Sequence, residues 1–479
     1  MNIRAWLLPV VLSATSGCAI GPRYVPPEIP MPTSWRDASA DRLTAPPEIL
    51  RRWWTTFRDP VLDSLIERAV SGNLDLQIAE ARIREARAAR GIAAAGALPQ
   101  VDASADYART RRSESVPPFK GTRGPESPFG ARDQNLFQAG FDASWEIDVF
   151  GGVRRDKEAA LAQVQATEEA QRDVLVTLLA DVARSYVELR SAQRRLTILD
   201  ETLSSQRDTF GLVRARAQAG LATDLDVAQA EGLLAATTSQ RPLLLRLAGE
   251  AVHRLGVLTG QGPDALTDEL TATSAMPPVP LNIPATLPSE LLSRRPDLRL
   301  AEREVAAATA RVGVARADLF PRFAILGNFG RRSDEIGDFG SFGSQFWSVI
   351  PGVRWPILSG GRIRANIRVH DARLGQASQQ YERAILTALQ EVADALLSQA
   401  RERDRQESLK AAANANRRAL EVSLERYTGG VENFLAVLDA QRSVYAADEA
   451  LVQNERDLAV SVIALYKSLG GGWSLESGS

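Results

Sequence analysis

Two hydrophobic periods alternate along the chain. From Asp63 to Ala97 apolar side chains recur at three and four, as Leu65, Ile66, Ala69, Val70 and then Leu76, Ala79, Ile83, Ala86. That spacing is one face of an α-helix, and Pro99 stops it. The period then changes to two. Val101, Ala103, Ala105 and Tyr107 alternate with Asp102, Ser104 and Asp106. Phe137, Phe141, Trp145, Ile147 and Val149 share a second alternating face, against Gln138, Asp142, Glu146 and Asp148. These runs predict two strands, about 100–112 and 136–149, each with one apolar, aromatic face and one acidic, polar face. Phe323, Ile325 and Phe329, then Trp347, Val349, Val353, Trp355 and Ile357, predict two more strands at about 322–331 and 346–358.

The second pair of strands belongs to a repeat. Residues 75–99 match 297–321 at 10 of 25 positions with an offset of 222, through Gly91/Gly313 and Pro99/Pro321. Further on, Trp145/Trp355, Gly151/Gly361, Gly220/Gly430, Leu225/Leu435 and Val227/Val437 share an offset of 210. The difference, 222 − 210 = 12, is a deletion between Pro321 and Trp355. Each half therefore reads helix, two strands, long helix, tight turn, helix. The first repeat is expected over 56–259, with its helical hairpin at 152–259. A proline-rich linker follows over 260–290, then the second repeat over 291–469, with its hairpin at 361–469, and a tail over 470–479.

No proline lies between Pro128 and Pro242 or after Pro356. Two helices of roughly 67 residues, ~100 Å each, are therefore expected, from Gly152 and from Arg362. Helices of that length cannot fold into a compact core and must pack side by side. Amphipathic strands of this length suit either a membrane β-barrel or a periplasmic sandwich; the long helices favour the barrel. Four strands per chain cannot close one, and an open edge in lipid leaves backbone groups unpaired. The chain must oligomerise: two copies give eight strands, three give twelve, and the larger barrel leaves a channel.

Composition narrows the function. With 57 basic and 59 acidic residues, net charge −2, the chain lacks the basic surplus of a nucleic-acid binder. Two histidines (His253, His370) and one cysteine (Cys18) exclude a His/Cys metal centre and an intrachain disulfide. Neither histidine lies near a nucleophile motif, so the chain reads as no enzyme, with no metal and no cofactor.

The N-terminus reads as an address. Arg4, the apolar run Ala5–Leu12 and the small residues Ser13–Gly17 form a secretory signal over 1–17, too short to span a bilayer. Ser16-Gly17-Cys18 resembles a bacterial lipobox, with Thr15 where leucine is usual, so Cys18 is expected to carry covalent lipid. Ala19 follows it, where aspartate would resemble an inner-membrane retention signal. Residues 18–55, with Pro22, Pro26, Pro27, Pro30 and Pro32, are expected to form an extended tether.

From Gly17 to about Gly472 the chain resembles the TolC-like outer-membrane factors, in their NodT-type lipoprotein branch. The resemblance rests on Leu292-Ser293-Arg294-Arg295-Pro296-Asp297-Leu298, on Ser144-Trp145-Glu146-Ile147-Asp148-Val149-Phe150-Gly151-Gly152, on Trp355–Arg362 and on Leu435–Arg442. It implies a mainly α protein with membrane β-strands: a homotrimer whose four strands per chain form a barrel continued by a long α-helical barrel across the periplasm. It also implies a passive efflux duct, lipid-anchored in the outer membrane, working with a periplasmic adaptor and an inner-membrane pump. By motif match, a periplasmic gate falls on Asp226, Tyr427, Leu435 and Asp439. Where a basic residue can follow the second turn stands Glu432, so the cation of a lock would come from elsewhere, such as Arg426 or Arg442. Trp145 and Trp355 are expected at the membrane interface. A periplasmic adaptor or a structural envelope coiled coil are the alternative readings; the duplicated halves speak against the first and the amphipathic strands against the second.

Asp338-Phe339-Gly340 has no companion kinase motif and reads as a loop between strands. Residues 110–135 read as the matching loop of the first half. Arg401–Arg405 reads as a solvated helix face.

Overall fold

The computed structural model describes residues 19–27, 29–35, 47–111, 113, 133–280 and 288–474. The signal segment, Cys18, most of the loop at 112–132 and the middle of the linker lie outside the described residues.

The first half runs α1 (Pro60–Gly72), α2 (Leu74–Ala95), β1 (Gln100–Arg111), β2 (Asp133–Ile147), α3 (Gly152–Gln218), α4 (Asp224–Thr238) and α5 (Arg241–Leu258). The second runs α6 (Pro296–Ala317), β3 (Arg322–Ser333), β4 (Gln345–Arg354), α7 (Arg362–Thr428) and α8 (Phe434–Ser468). Helices α3 and α7 each have 67 residues. No helix among the described residues is long and apolar enough to cross a membrane.

Among the boundaries that differ from the sequence expectation, four have a clear local reason. Strand β2 starts at Asp133, not 136, because Asp133, Gln134 and Asn135 pair with Arg111, Thr110 and Arg109. It ends at Ile147, not 149, because the Asp148 carboxylate accepts the Arg154 backbone N–H at 2.8 Å and turns the chain into α3. Strand β4 stops at Arg354, not 358, just before Pro356, which cannot donate to a ladder. The first returning helix, expected to run on to 259, breaks at Ser239 and Gln240, because Pro242 lacks an N–H for the helix ladder.

The chain divides into two compact units, and neither is a sequence repeat. One comprises Met1–Pro27, Ile83–Ala166 and Glu302–Gln379; the other Glu28–Arg82, Thr167–Ala301 and Gln380–Ser479. Each takes matching parts from both halves.

The first unit holds one antiparallel sheet in the order β1-β2-β3-β4. Its register keeps the two faces apart across the join between repeats. Ala103, Phe141, Phe329 and Trp347 stand opposite one another on one face, and Asp102, Asp142, Asn328 and Ser348 on the other. Residues following Cys18 pack here rather than trailing as a free tether. The Ile20 N–H donates to the Phe150 carbonyl at 3.2 Å. Arg155, from α3, donates to the Ile20 carbonyl at 3.2 Å and to the Gly21 carbonyl at 3.3 Å. Gly21 has φ +102 and lies against Gly313, where a Cβ would stand 2.6 Å from the Gly313 Cα. The Tyr24 hydroxyl donates to Glu302 at 2.7 Å.

The second unit is built on a buried aromatic core. Trp53 stacks on Tyr466 at 5.3 Å, and the Tyr186 hydroxyl donates to Asp59 at 2.6 Å. Burial pushes that phenol well above the usual tyrosine range. Trp53, Trp54 and Phe57 are buried, so the expected tether ends in a folded turn. The tail also folds back at its start. Gly472 N donates to the Leu50 carbonyl at 2.9 Å, and the Trp473 ring is approached by both Arg172 (4.9 Å) and Arg299 (5.2 Å).

Candidate functional site

The expected gate residues gather in the second unit, where two long helices reverse. Helix α3 ends in a Schellman turn: Gly220 adopts φ +72, and Leu221 N donates back to the Arg216 carbonyl at 2.8 Å. Helix α7 ends identically, with Gly430 at φ +75 and Val431 N bonded to the Arg426 carbonyl at 2.9 Å. The following helices are then capped differently. Thr223 and Asp226 close a reciprocal capping box at the start of α4. At the start of α8 the Asn433 side chain accepts from Ala436 N at 3.2 Å.

A compact apolar cluster joins the two turns: Val213 and Leu233 from the first half with Tyr427, Phe434, Val437 and Leu438 from the second. The Tyr427 and Phe434 rings are 5.3 Å apart. Helix α8 therefore turns Phe434, Val437 and Leu438 inward and leaves Leu435 outward, 50% exposed. Asp439, one turn on, shares that outward face, with Arg442 3.9 Å away. The other tip residues Leu221, Leu225 and Val431 are exposed as well.

The expected residues therefore split into two groups. Leu435 and Asp439 form one exposed pair. Tyr427 is buried in the cluster, and among the described residues its hydroxyl has no hydrogen-bond partner. Burial raises its pKa, against the pull of the nearby Arg216 charge. Asp226 accepts from the Thr223 backbone N–H and hydroxyl, both at 2.8 Å, rather than from Tyr427. Of the two candidate cations, Arg426 faces Glu432 at 3.4 Å and Arg442 lies beside Asp439.

Arg216 was not expected. Its guanidinium lies 4.9 Å over the Tyr427 ring and donates from Nη1 to the Thr428 carbonyl at 3.0 Å. The signal was in the repeat, since Arg216 and Arg426 share the 210 offset.

Trp145 and Trp355 lie in the first unit, exposed at the ends of β2 and β4. No cluster of metal-ligating side chains occurs among the described residues. Cys18 lies outside them, although Ala19, its neighbour, packs on Gly151 at the corner between β2 and α3.

The profile of the outer membrane efflux protein family matches residues 65–261 and 287–471. The chain is similar to outer membrane protein OprJ of Pseudomonas aeruginosa, 34% identical over 98% of this chain and 96% of that one. It is also similar to nodulation protein T of Rhizobium leguminosarum bv. trifolii, 30% identical over 99% of this chain and 98% of that one. Among solved structures, the outer-membrane channel OprN superposes with a TM-score of 0.86 at 35% identity, over 95% of this chain and all (100%) of that one.

Proposed function

The chain belongs to the outer membrane efflux protein family, and from that premise we propose how its parts serve as the outer-membrane channel of a tripartite efflux system. It is a duct and not an enzyme, and an inner-membrane pump supplies the energy. The observation that carries the reading is the four-stranded sheet. Its aromatic face is exposed, with Trp347 at 74% and Phe329 at 56%, while its other face carries acids and amides. Strands β1 and β4 leave open edges, which lipid does not tolerate. Three copies of four strands close a twelve-stranded barrel wide enough for a water-filled lumen.

In this homotrimer the aromatic face meets outer-membrane lipid and the acidic face lines the lumen. Cys18 carries the covalent lipid. The packing of Ala19 and Ile20 at the end of β2 supports this, because it starts the mature chain at the rim of the barrel, within reach of the leaflet. Leu435 and Asp439 form the periplasmic gate, and a periplasmic adaptor engages the duct to open it.

Cysteine pairs on β1 and β4 test the assembly. Cys18 is the one native cysteine, and acylation occupies it. Ala105→Cys combined with cysteines scanned along 347–353 should give an oxidant-dependent band at three times the mass of the mature chain for one pair. A ladder that stops at dimer, or no crosslink at any register, refutes the barrel.

A further inference from the structure

We propose that Arg216 is the cation that holds the resting duct closed, clasping the second helical hairpin to the first within each protomer. The proposal rests on the duct reading above and adds a residue to it.

Arg216 leaves the last turn of α3, in the first half of the chain, and reaches the last turn of α7, in the second. Two contacts meet there. Its Nη1 donates to the carbonyl of Thr428, the final residue of α7, at 3.0 Å. The last carbonyls of a helix lack intrahelical donors and carry the negative end of its dipole, so a guanidinium there meets both needs. Its flat face lies 4.9 Å over the Tyr427 ring, a cation–π contact. Tyr427 is itself fixed against Phe434 and Val437 of α8. One side chain thus binds the end of α7 directly and the start of α8 through Tyr427.

The neighbouring cations are placed otherwise. Arg426, at the equivalent position of the second half, faces Glu432 of its own turn, and Arg442 lies beside Asp439 on its own helix. The clasp therefore runs one way, from the first half to the second. It also lands on the hairpin that carries Leu435 and Asp439. Holding that hairpin against the first fixes both residues around the three-fold axis; releasing it lets them swing outward. Tyr427 contributes its ring to the clasp, with the Arg216 guanidinium 4.9 Å over it. Arg216 is a positioning residue: it acts through the hairpin it holds.

The test is conductance of the purified trimer in planar bilayers, without adaptor or pump. Arg216→Ala should raise the open probability of the duct by roughly tenfold or more. Arg216→Lys keeps the charge and loses the flat stacking fork, so it should fall between Arg216→Ala and wild type. Tyr427→Leu, which removes the ring, should open the duct as Arg216→Ala does. Arg426→Ala, at the same repeat position, should behave as wild type. Helical content and heat-resistant trimers should survive in each variant. The reference is Leu435→Ala. If it conducts while Arg216→Ala stays silent, or if Arg426→Ala opens the duct equally, the Arg216 clasp is wrong and the duct stands. If no variant conducts, the reference included, the gate reading fails and takes the clasp with it.

Discussion

Trp145 and Trp355 make the same hydrogen bond 210 residues apart. The Trp145 indole N–H donates to the Ala97 carbonyl at 3.0 Å, and that of Trp355 to the Leu319 carbonyl at 3.1 Å. Both acceptors lie where the helix before each hairpin has just ended. Each indole thus ties the returning strand to the chain entering the sheet. Replacing either by Phe keeps an interfacial ring and removes one bond, which costs about 1 kcal/mol. Trp145→Phe/Trp355→Phe should lower the temperature at which the trimer dissociates, while membrane insertion survives. A dissociation temperature equal to wild type would mean the indole N–H groups bond to water instead.

Acid titration reports on the second unit. Asp173 has its pKa raised above 3.8, first by burial and then by the nearby Asp297, with Lys467 and Arg295 opposing and Glu391 adding to the rise. A raised folded-state pKa means the folded chain holds this proton more tightly than the unfolded one. The stability it gives is full below about pH 3.8 and is lost as pH rises through the folded-state pKa. Asp173→Asn keeps the shape and removes the charge. It should therefore raise thermal stability at pH 7 and flatten the decline above pH 3.8. A lower melting temperature at pH 7 in the variant would show that its pairing with Lys467 or Arg295 outweighs burial.

Much of this was legible in the sequence, because periodicity and repetition are local signals. The polar/apolar alternation from Val101 to Ile147 already separates the two faces that the sheet register keeps apart. The 210 offset places Gly220 and Gly430 at equivalent turns, and both glycines have positive φ. What stayed hidden depends on contacts distant in sequence. Nothing around Arg216 says that its partner is 212 residues away. The docking of Ile20 on Phe150 depends on Gly21 and Gly313 meeting, each of which alone reads as an ordinary helix or loop glycine. Strand ends were misplaced where a side-chain cap (Asp148) or a proline (Pro356) overrode the period.

The docked start of the tail yields a stability prediction. The guanidinium groups of Arg172 and Arg299 both approach the Trp473 ring, and its indole N–H donates to the Arg294 carbonyl at 3.1 Å. Glu169 faces both arginines at 2.6 Å and keeps them in place. Two cation–π contacts at about 1 kcal/mol each suggest that Trp473→Ala costs roughly 2 kcal/mol. Trp473→Phe should recover part of that. Urea unfolding of the two variants measures it, and equal midpoints for Ala and wild type would make the contact incidental.

Lipid attachment is tested at one residue. Cys18→Ser should lose labelling by a fatty-acid analogue and accumulate as an unprocessed precursor or an unacylated form. Trimers should still form, since the barrel supplies its own membrane affinity. Labelling that persists in Cys18→Ser would place the lipid elsewhere or remove it from the account.

The gate itself is an electrostatic argument. Leu435 and Asp439 share the exposed face of α8, four residues apart, while the opposite face is buried in the cluster around Tyr427. In a three-fold assembly each becomes a ring of three. On the proposed gate, the leucines narrow the opening with apolar bulk, and the aspartates set three negative charges at close quarters, which attract cations and repel anions. Arg442, 3.9 Å from Asp439 and itself exposed, screens this field only weakly, because a solvated pair at that distance contributes under about 1 kcal/mol. Leu435→Ala should therefore raise conductance without changing ion preference. Asp439→Asn should lower cation selectivity and weaken block by divalent cations, with conductance little changed in monovalent salt. Arg442→Ala should do the opposite, sharpening cation preference. Reversal potentials across a salt gradient distinguish these outcomes. A common reversal potential for wild type, Asp439→Asn and Arg442→Ala would place the selective ring elsewhere along the duct.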